Sequence, residues 1–270
     1  MKNILKKILP TPIKNFFRRI FLQEWVGDFI NWQEAERAST GYSNVNILEK
    51  VTQSLLKVKN GEAIYERDSV LFEKIQYSWP SLSALMWIAA INKGNLNVID
   101  FGGSLGSSYF QNKFFLDSLD HVKWNIVEQE SFVRKGRELF QNSTLNFFLS
   151  VEDCINSSAA PHVLLLSCVL PYVKEPYKIL EAISNFSIPY IIVDNTPFNF
   201  KNRDRICVQN VPASIYKASY PCWLLYYEKV VETVKGNYTI ITEHFNDSSI
   251  YVDGEKIQYR GFLAKNRYST

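Results

Sequence analysis

The chain has 270 residues, a formal net charge of +3, 46% hydrophobic and 21% charged residues. That hydrophobic share supports a packed core and excludes a disordered chain, and 11 glycines with 10 prolines are too few for a fibre. The small net charge gives no reason to expect a nucleic acid as partner.

The first 23 residues carry Lys2, Lys6, Lys7, Lys14, Arg18 and Arg19 and no acid. Their apolar residues recur at helical spacing, Ile4, Leu5, Ile8 and Leu9, then Ile13, Phe16, Phe17, Ile20 and Phe21, with Pro10 and Pro12 between the halves. No apolar run is long enough to span a bilayer, and no secretory h-region follows the positive start. Two readings are open: an interfacial helix in peripheral contact with anionic lipid, or an amphipathic helix packed on the domain. The expected location is cytoplasmic, at the inner face of the membrane in the first reading. Residues 24–94 read as mostly helical. Pro80 opens Ser81–Asn92, whose Leu82, Leu85, Met86, Ile88 and Ala89 form an apolar face. Residues 1–94 are therefore expected as a basic segment plus a helical cap, and 95–270 as the domain with the site. Trp25, Trp32, Tyr42 and Tyr77 are expected mostly to pack against the sheet.

From about residue 95, short apolar runs alternate with helical periodicity. The runs are Leu96–Phe101, Trp124–Val127, Leu145–Leu149, Val163–Leu166, Tyr190–Val193, Tyr238–Thr242 and Tyr259–Ala264. Between them, Ser108–Leu119, Phe132–Phe140, Tyr177–Phe186 and Trp223–Lys235 carry apolar residues near i, i+3 and i+4, and Gly236 stands where a helix C-cap is expected. This alternation predicts an α/β fold with a mainly parallel sheet covered on both faces. The last two runs are joined without a helix through Val252-Asp253-Gly254-Glu255, and Asp-Gly signals a hairpin. The expected sheet is seven-stranded and mostly parallel, with its last strand reversed.

Cys154, Cys168, Cys207 and Cys222 form no C-x-x-C pair, and His121, His162 and His244 stand apart from them and from one another. No metal site is expected. The cysteines read as reduced thiols.

The most informative stretch is Asn97-Val98-Ile99-Asp100-Phe101-Gly102-Gly103-Ser104-Leu105-Gly106. An apolar strand ends in an acid, a glycine turn follows, and a helix starts near Ser107. Glycine lets the backbone turn sharply and lets a ligand approach it, and free N–H groups of the next helix face the same space. Ser107-Ser108 after Gly106 lacks the lysine of a P-loop. Asp100, Gly102 and Leu105 do not satisfy G-x-G-x-x-G. A carboxylate at the strand tip repels a pyrophosphate but suits an amine. The second strand ends in Glu128, which can accept both ribose hydroxyls of an adenosine. An amine, an adenosine and no phosphate describe S-adenosylmethionine.

Here the chain resembles the S-adenosylmethionine-dependent methyltransferases of the seven-stranded Rossmann-like type. Their first motif, acid-x-Gly-x-Gly-x-Gly, is matched at Asp100, Gly102 and Gly106, with Ser104 in place of the middle glycine and an extra Gly103. A closer resemblance rests on Tyr65-Glu66-Arg67-Asp68-Ser69-Val70, on the two strand ends just named, on Asp194-Asn195-Thr196-Pro197-Phe198, on Val211-Pro212 and on Ser219-Tyr220-Pro221-Cys222-Trp223. These look like a bacterial family of methyltransferases often encoded beside cell-surface polysaccharide genes. The resemblance implies methyl transfer to a small molecule or a surface saccharide, within polysaccharide biosynthesis.

Further candidates follow from position. In the broad methyltransferase fold the end of the fourth strand faces the sulfonium and the acceptor, which would make Ser167 a cofactor contact, with Tyr172 beside it. Asp194, after the fifth strand, can serve as a general base if burial raises its pKa, and an Asx turn is the bland alternative. Asp194-Asn195-Thr196-Pro197-Phe198 follows the fifth strand and lacks a second proline, so nucleobase methylation is not expected. His244 can serve as the base for a hydroxyl, because histidine titrates near neutral pH. Arg203, Arg205, Gln209, Tyr216, Tyr220 and Trp223 would suit a hydroxyl-rich acceptor. Tyr65–Asp68 reads as a lid or as a salt-bridged helix start. The rival readings are a dinucleotide-dependent sugar-modifying enzyme and a non-catalytic, membrane-associated scaffold.

Overall fold

A computed structural model describes residues 24–40, 45–157, 159–211 and 218–269. The expectations placed on residues 1–23, Tyr42, Pro212 and Tyr216 lie outside them. In chain order the elements are β1 (Glu24–Phe29), α1 (Trp32–Arg37), α2 (Val45–Lys59), β2 (Tyr65–Arg67), β3 (Val70–Phe72), α3 (Trp79–Ile91), β4 (Asn95–Phe101), α4 (Ser107–Leu116), β5 (His121–Val127), α5 (Glu130–Leu139), β6 (Leu145–Phe148) and α6 (Val151–Ser157). Then come β7 (Val163–Ser167), a short 3-10 turn (Leu170–Tyr172), α7 (Pro176–Ser184), β8 (Tyr190–Asn199), β9 (Arg205–Asn210), β10 (Ser219–Tyr226), α8 (Tyr227–Lys235), β11 (Tyr238–Val252) and β12 (Glu255–Asn266).

Ten strands form one sheet in the order β10-β9-β1-β11-β12-β8-β7-β4-β5-β6, and β2 with β3 makes a separate hairpin. β8, β7, β4, β5 and β6 pair in parallel. β12 runs antiparallel to both its neighbours, β8 and β11. All seven expected runs are strands, and the run expected to reverse does so. The Asp253-Gly254 turn joins β11 to β12 with both residues at positive φ, 46° and 84°, the backbone that a tight hairpin turn requires.

Three differences from expectation have a physical reason. The sheet has ten strands rather than seven, because β1, β9 and β10 extend it beyond β11. Glu24–Phe29 is a strand and not helical: its ladder partners are Asn210 and Tyr251, far along the chain. Trp223–Tyr226 belongs to β10, so α8 begins at Tyr227. Gly236 does cap α8, but in right-handed geometry, with φ −50°.

Apolar side chains fill both faces of the sheet. Leu85 and Ile88 of α3, Tyr109 of α4 and Val133 of α5 pack with Val98, Trp124 and Ile126 on one side. Cys154 of α6, Leu180 and Ile183 of α7 and Val230 and Val234 of α8 pack with Ile99, Leu164 and Val193 on the other. Burying such a side chain contributes about 2 kcal/mol. The carboxyl ends of β4, β5, β7 and β8 lie along one rim, and the candidate site is built there.

Candidate functional site

β4 leaves the sheet at Phe101, and Gly102 N–H donates to Val127 O at 2.9 Å, which keeps the turn beside β5. Gly102 has φ +71°, and a Cβ there would meet Val169 Cγ2 at 2.3 Å. A Cβ on Gly103 would stand 2.5 Å from the Asp100 carboxyl group. The missing side chain is thus what lets Asp100 fold beneath the turn. Ser104 takes a left-handed φ of 56°, and its N–H donates to Glu128 Oε1 at 3.3 Å. Gly106, at φ +109°, precedes the first turn of α4.

Asp100 is 1% exposed, and its Oδ2 accepts from the Trp124 indole N–H at 2.9 Å. Burial pushes its pKa up to about 7; the indole bond opposes this, and the neighbouring Glu128 adds to it. Glu128 is half-buried at the tip of β5 and also accepts from Gln129 N–H at 2.7 Å. Burial raises its pKa as well, against the two backbone donors. Neither carboxyl has a Lys or Arg among its hydrogen-bond or ion-pair partners in the described residues.

The Tyr65–Asp68 stretch is a hairpin and not a helix start. Asp68 and Ser69 turn it at positive φ. It docks on the glycine turn: Glu66 Oε2 accepts from Ser107 Oγ at 2.7 Å and Oε1 from Ser69 N–H at 2.7 Å. Tyr65 OH accepts from Gln111 Nε2 at 3.1 Å. Burial raises Glu66 to about 7, with both hydrogen bonds opposing. Glu66 of the stretch read as a lid or a helix start thus reaches the start of α4 beside the glycine turn, a contact that no local pattern assigned to this carboxyl.

Asp100 pairs with Leu165, so Ser167 at the end of β7 stands level with Gly102. Cys168 N–H then donates to Asp194 O at 2.9 Å. Asp194, 2% exposed, is surrounded by donors. Its Oδ1 accepts from Ser78 Oγ at 3.0 Å and Asn246 Nδ2 at 3.1 Å, and stands 3.1 Å from His244 Nε2. Its Oδ2 accepts from Asn195 Nδ2 at 2.9 Å. Burial alone would raise its pKa, but the bonds from His244, Asn246 and Ser78 outweigh burial and lower it. This corrects the expectation of a base with a raised pKa: Asp194 is a held anion. The two candidate bases, 50 residues apart, form one pair. A Cβ on Gly261 would lie 2.4 Å from His244 Nε2 and 2.2 Å from Val193 O, so glycine there makes room for the imidazole.

The residues expected to hold a hydroxyl-rich acceptor do not share one surface. Arg203 pairs with Asp28, and Arg205 donates to Gly27 O at 2.8 Å and pairs with Asp253. Both tie the sheet extension together. Gln209 is buried. Tyr220 packs edge-on to Tyr172, their centroids 5.6 Å apart, and Trp223 stacks on Trp32 at 6.0 Å.

No protein-family profile matches the chain, and no curated protein does. Solved structures do. The [4+2]-cyclase SpnF is 12% identical, with a TM-score of 0.51 over 82% of this chain and 94% of that one. Magnesium protoporphyrin IX methyltransferase (ChlM) from Synechocystis PCC 6803, solved with bound SAM, is 14% identical over 98% of this chain and 96% of that one, with a TM-score of 0.43. A S-adenosylmethionine-dependent methyltransferase from Clostridium acetobutylicum is 12% identical over 71% of this chain and 93% of that one, with a TM-score of 0.44. The chain shares the α/β fold of SpnF.

Proposed function

We propose that the protein is an S-adenosylmethionine-dependent methyltransferase whose Rossmann-like unit is β6-β5-β4-β7-β8-β12-β11, with residues 45–94 as its cap. One observation carries this reading. Two carboxyl groups at neighbouring strand tips converge on a single glycine turn, both are raised by burial, and neither has a cationic partner. A ligand that brings a cation and a vicinal diol satisfies them, whereas a pyrophosphate would set like charges against them. The cradle fits S-adenosylmethionine: Asp100 lies under Gly103 as counter-charge to the amine, Gly102, Gly103, Ser104 and Gly106 let the backbone approach, Glu128 has lone pairs left for the ribose hydroxyls, and Ser167 faces the same turn.

When bound, S-adenosylmethionine supplies an electrophilic methyl group, so the protein's task is to position the acceptor. His244 takes the proton from a hydroxyl acceptor, and Asp194 holds its ring in place. The acceptor is a small molecule. A cell-surface saccharide, acting in polysaccharide biosynthesis, is the choice that the sequence resemblance favours. The protein works in the cytoplasm, and the basic, amphipathic sequence of residues 1–23 suits either peripheral contact with the inner face of the membrane or packing on the domain. Among the described residues, no helix is long and apolar enough to cross it.

Calorimetry tests the core of this reading. S-adenosylhomocysteine and S-adenosylmethionine are expected to bind and NAD not to, and Glu128→Ala is expected to weaken binding at least tenfold, the effect of losing about 1.4 kcal/mol. NAD binding without S-adenosylmethionine binding would overturn it.

A further inference from the structure

The two edges of β11 differ. β12 pairs with it from Tyr238 to Val252. On the other edge, β1 meets only Tyr251 and Val252. From Thr239 to Asn246 the outer edge has no strand partner among the described residues. A register shift between Ile240 and Thr242 also leaves Ile241 without a partner on β12. An open edge presents backbone donors and acceptors to another strand, and proteins usually blunt it with lysine or proline. Thr239–Asn246 contains neither.

Two different surfaces flank this edge. On the α8 face, a shallow pocket of about 480 Å³ is lined by Lys235, Arg267, Thr239 and Glu243. None of those three charged residues has an ion-pair partner among the described residues. On the α3 face, a groove of about 330 Å³ is lined by Pro80, Ala84 and Trp87 together with Ile241 and by His244 of the candidate site. α3 has no charged residue, and Trp87, Ile91 and Ile241 are 42%, 50% and 47% exposed.

We propose that this edge pairs with the same edge of a second copy of the chain, antiparallel about a two-fold axis through Ile241 and normal to the sheet. Such an axis keeps each face of the sheet on its own side, so the contact is self-complementary. The partner's Glu243 then falls beside Thr239, next to Lys235 and Arg267, and the apolar flanks of the two α3 helices meet across the axis. Charge selects this occupant over residues 1–23. That segment has six bases and no acid and would set like charges against Lys235 and Arg267, whereas a second copy supplies an acid.

Analytical ultracentrifugation of the full chain tests the interface, with far-UV circular dichroism to confirm folding. Twice the mass of one chain is expected. Glu243→Arg, which places three bases together, and Ile241→Lys are each expected to give the mass of one chain. Combining Glu243→Arg with Lys235→Glu and Arg267→Glu is expected to restore the doubled mass. A single-chain mass for the unaltered protein, a doubled mass that survives both single substitutions, or failure of the charge swap would overturn the proposal. The exposed charges make the charge variants safe for folding, so the swap decides even if Ile241→Lys fails to fold.

Discussion

Asp100 stands near the end of β4 and Asp194 midway along β8, level with the last residue of the intervening β7, and both are almost wholly buried. Their protonation is nevertheless pushed in opposite directions. Among the described residues Asp100 has one side-chain donor, the indole of Trp124, and burial takes it up to about 7. Asp194 has Ser78, Asn195 and Asn246 as donors with His244 beside it, and these overcome burial. Depth alone therefore does not set the charge of a buried acid; the number of aimed donors does. The chemical consequence is a division of labour. Among the described residues, the carboxyl groups at the glycine turn have no Lys or Arg partner, while Asp194 on β8 is already satisfied and has a histidine beside it.

The contrast breaks most visibly on deletion. Asp194→Ala strands several donors in a buried site, and stability is expected to fall by about 4 kcal/mol, read as a lower urea midpoint at pH 7. Asp100→Asn still accepts from the indole and removes an unfavourable charge, so without ligand it is expected to be neutral or stabilising. Equal losses for the two would show that the donors around Asp194 are not what separates them.

Gly103→Ala probes the turn itself. The added Cβ would stand 2.5 Å from the Asp100 carboxyl group, and relieving that overlap is expected to cost about 2 kcal/mol and to abolish S-adenosylhomocysteine binding. Melting temperature and calorimetry check the two effects separately. Retained binding would mean that the carboxyl can leave the turn without harm to the cradle.

The opposite pKa shifts also give opposite pH signs. Asp100 is raised above its unfolded value of 3.8, so its ionisation costs stability that is absent at low pH and grows as pH rises from about 4 to about 7. Glu66, also raised to about 7, acts the same way. Asp194 is lowered, so its contribution is present above about 4 and lost as pH falls through its folded value. The ligand-free protein is therefore expected to melt higher at pH 5 than at pH 8 and to lose the Asp194 contribution as pH falls below about 4. A ligand with an ammonium group selects the ionised Asp100, so its affinity is expected to rise about tenfold from pH 6 to pH 8. Asp100→Asn should flatten that rise, and a rise that persists would assign it to Glu66.

Features set by neighbouring residues are legible in a sequence, and those set by distant pairing are not. Asp100, Gly102 and Glu128 were readable because strand ends, turns and the spacing of one strand-helix-strand unit are local. The Asp253-Gly254 hairpin was readable for the same reason. The pairing of Asp194 with His244 was not, since it depends on the registers of β8 with β12 and of β12 with β11. Glu24–Phe29 was unreadable as a strand because its partners lie far along the chain, and Trp223–Tyr226 carries apolar residues that fit a helix face as well as a buried strand.

The smallest expected effect sits at Ser104, the one departure from the glycine pattern. Its φ of 56° is a conformation that costs a side-chain-bearing residue about 1–2 kcal/mol. Ser104→Gly removes that cost but adds freedom to the unfolded chain, worth about 0.4–1 kcal/mol in the other direction. The bond from residue 104 N–H to Glu128 is kept, because it uses the backbone. A net gain of about 0.5 kcal/mol is expected, seen as a slightly higher melting temperature with S-adenosylhomocysteine affinity unchanged. If affinity falls while stability rises, the serine hydroxyl is a ligand contact, and the strain at this position is held for binding rather than tolerated by the fold.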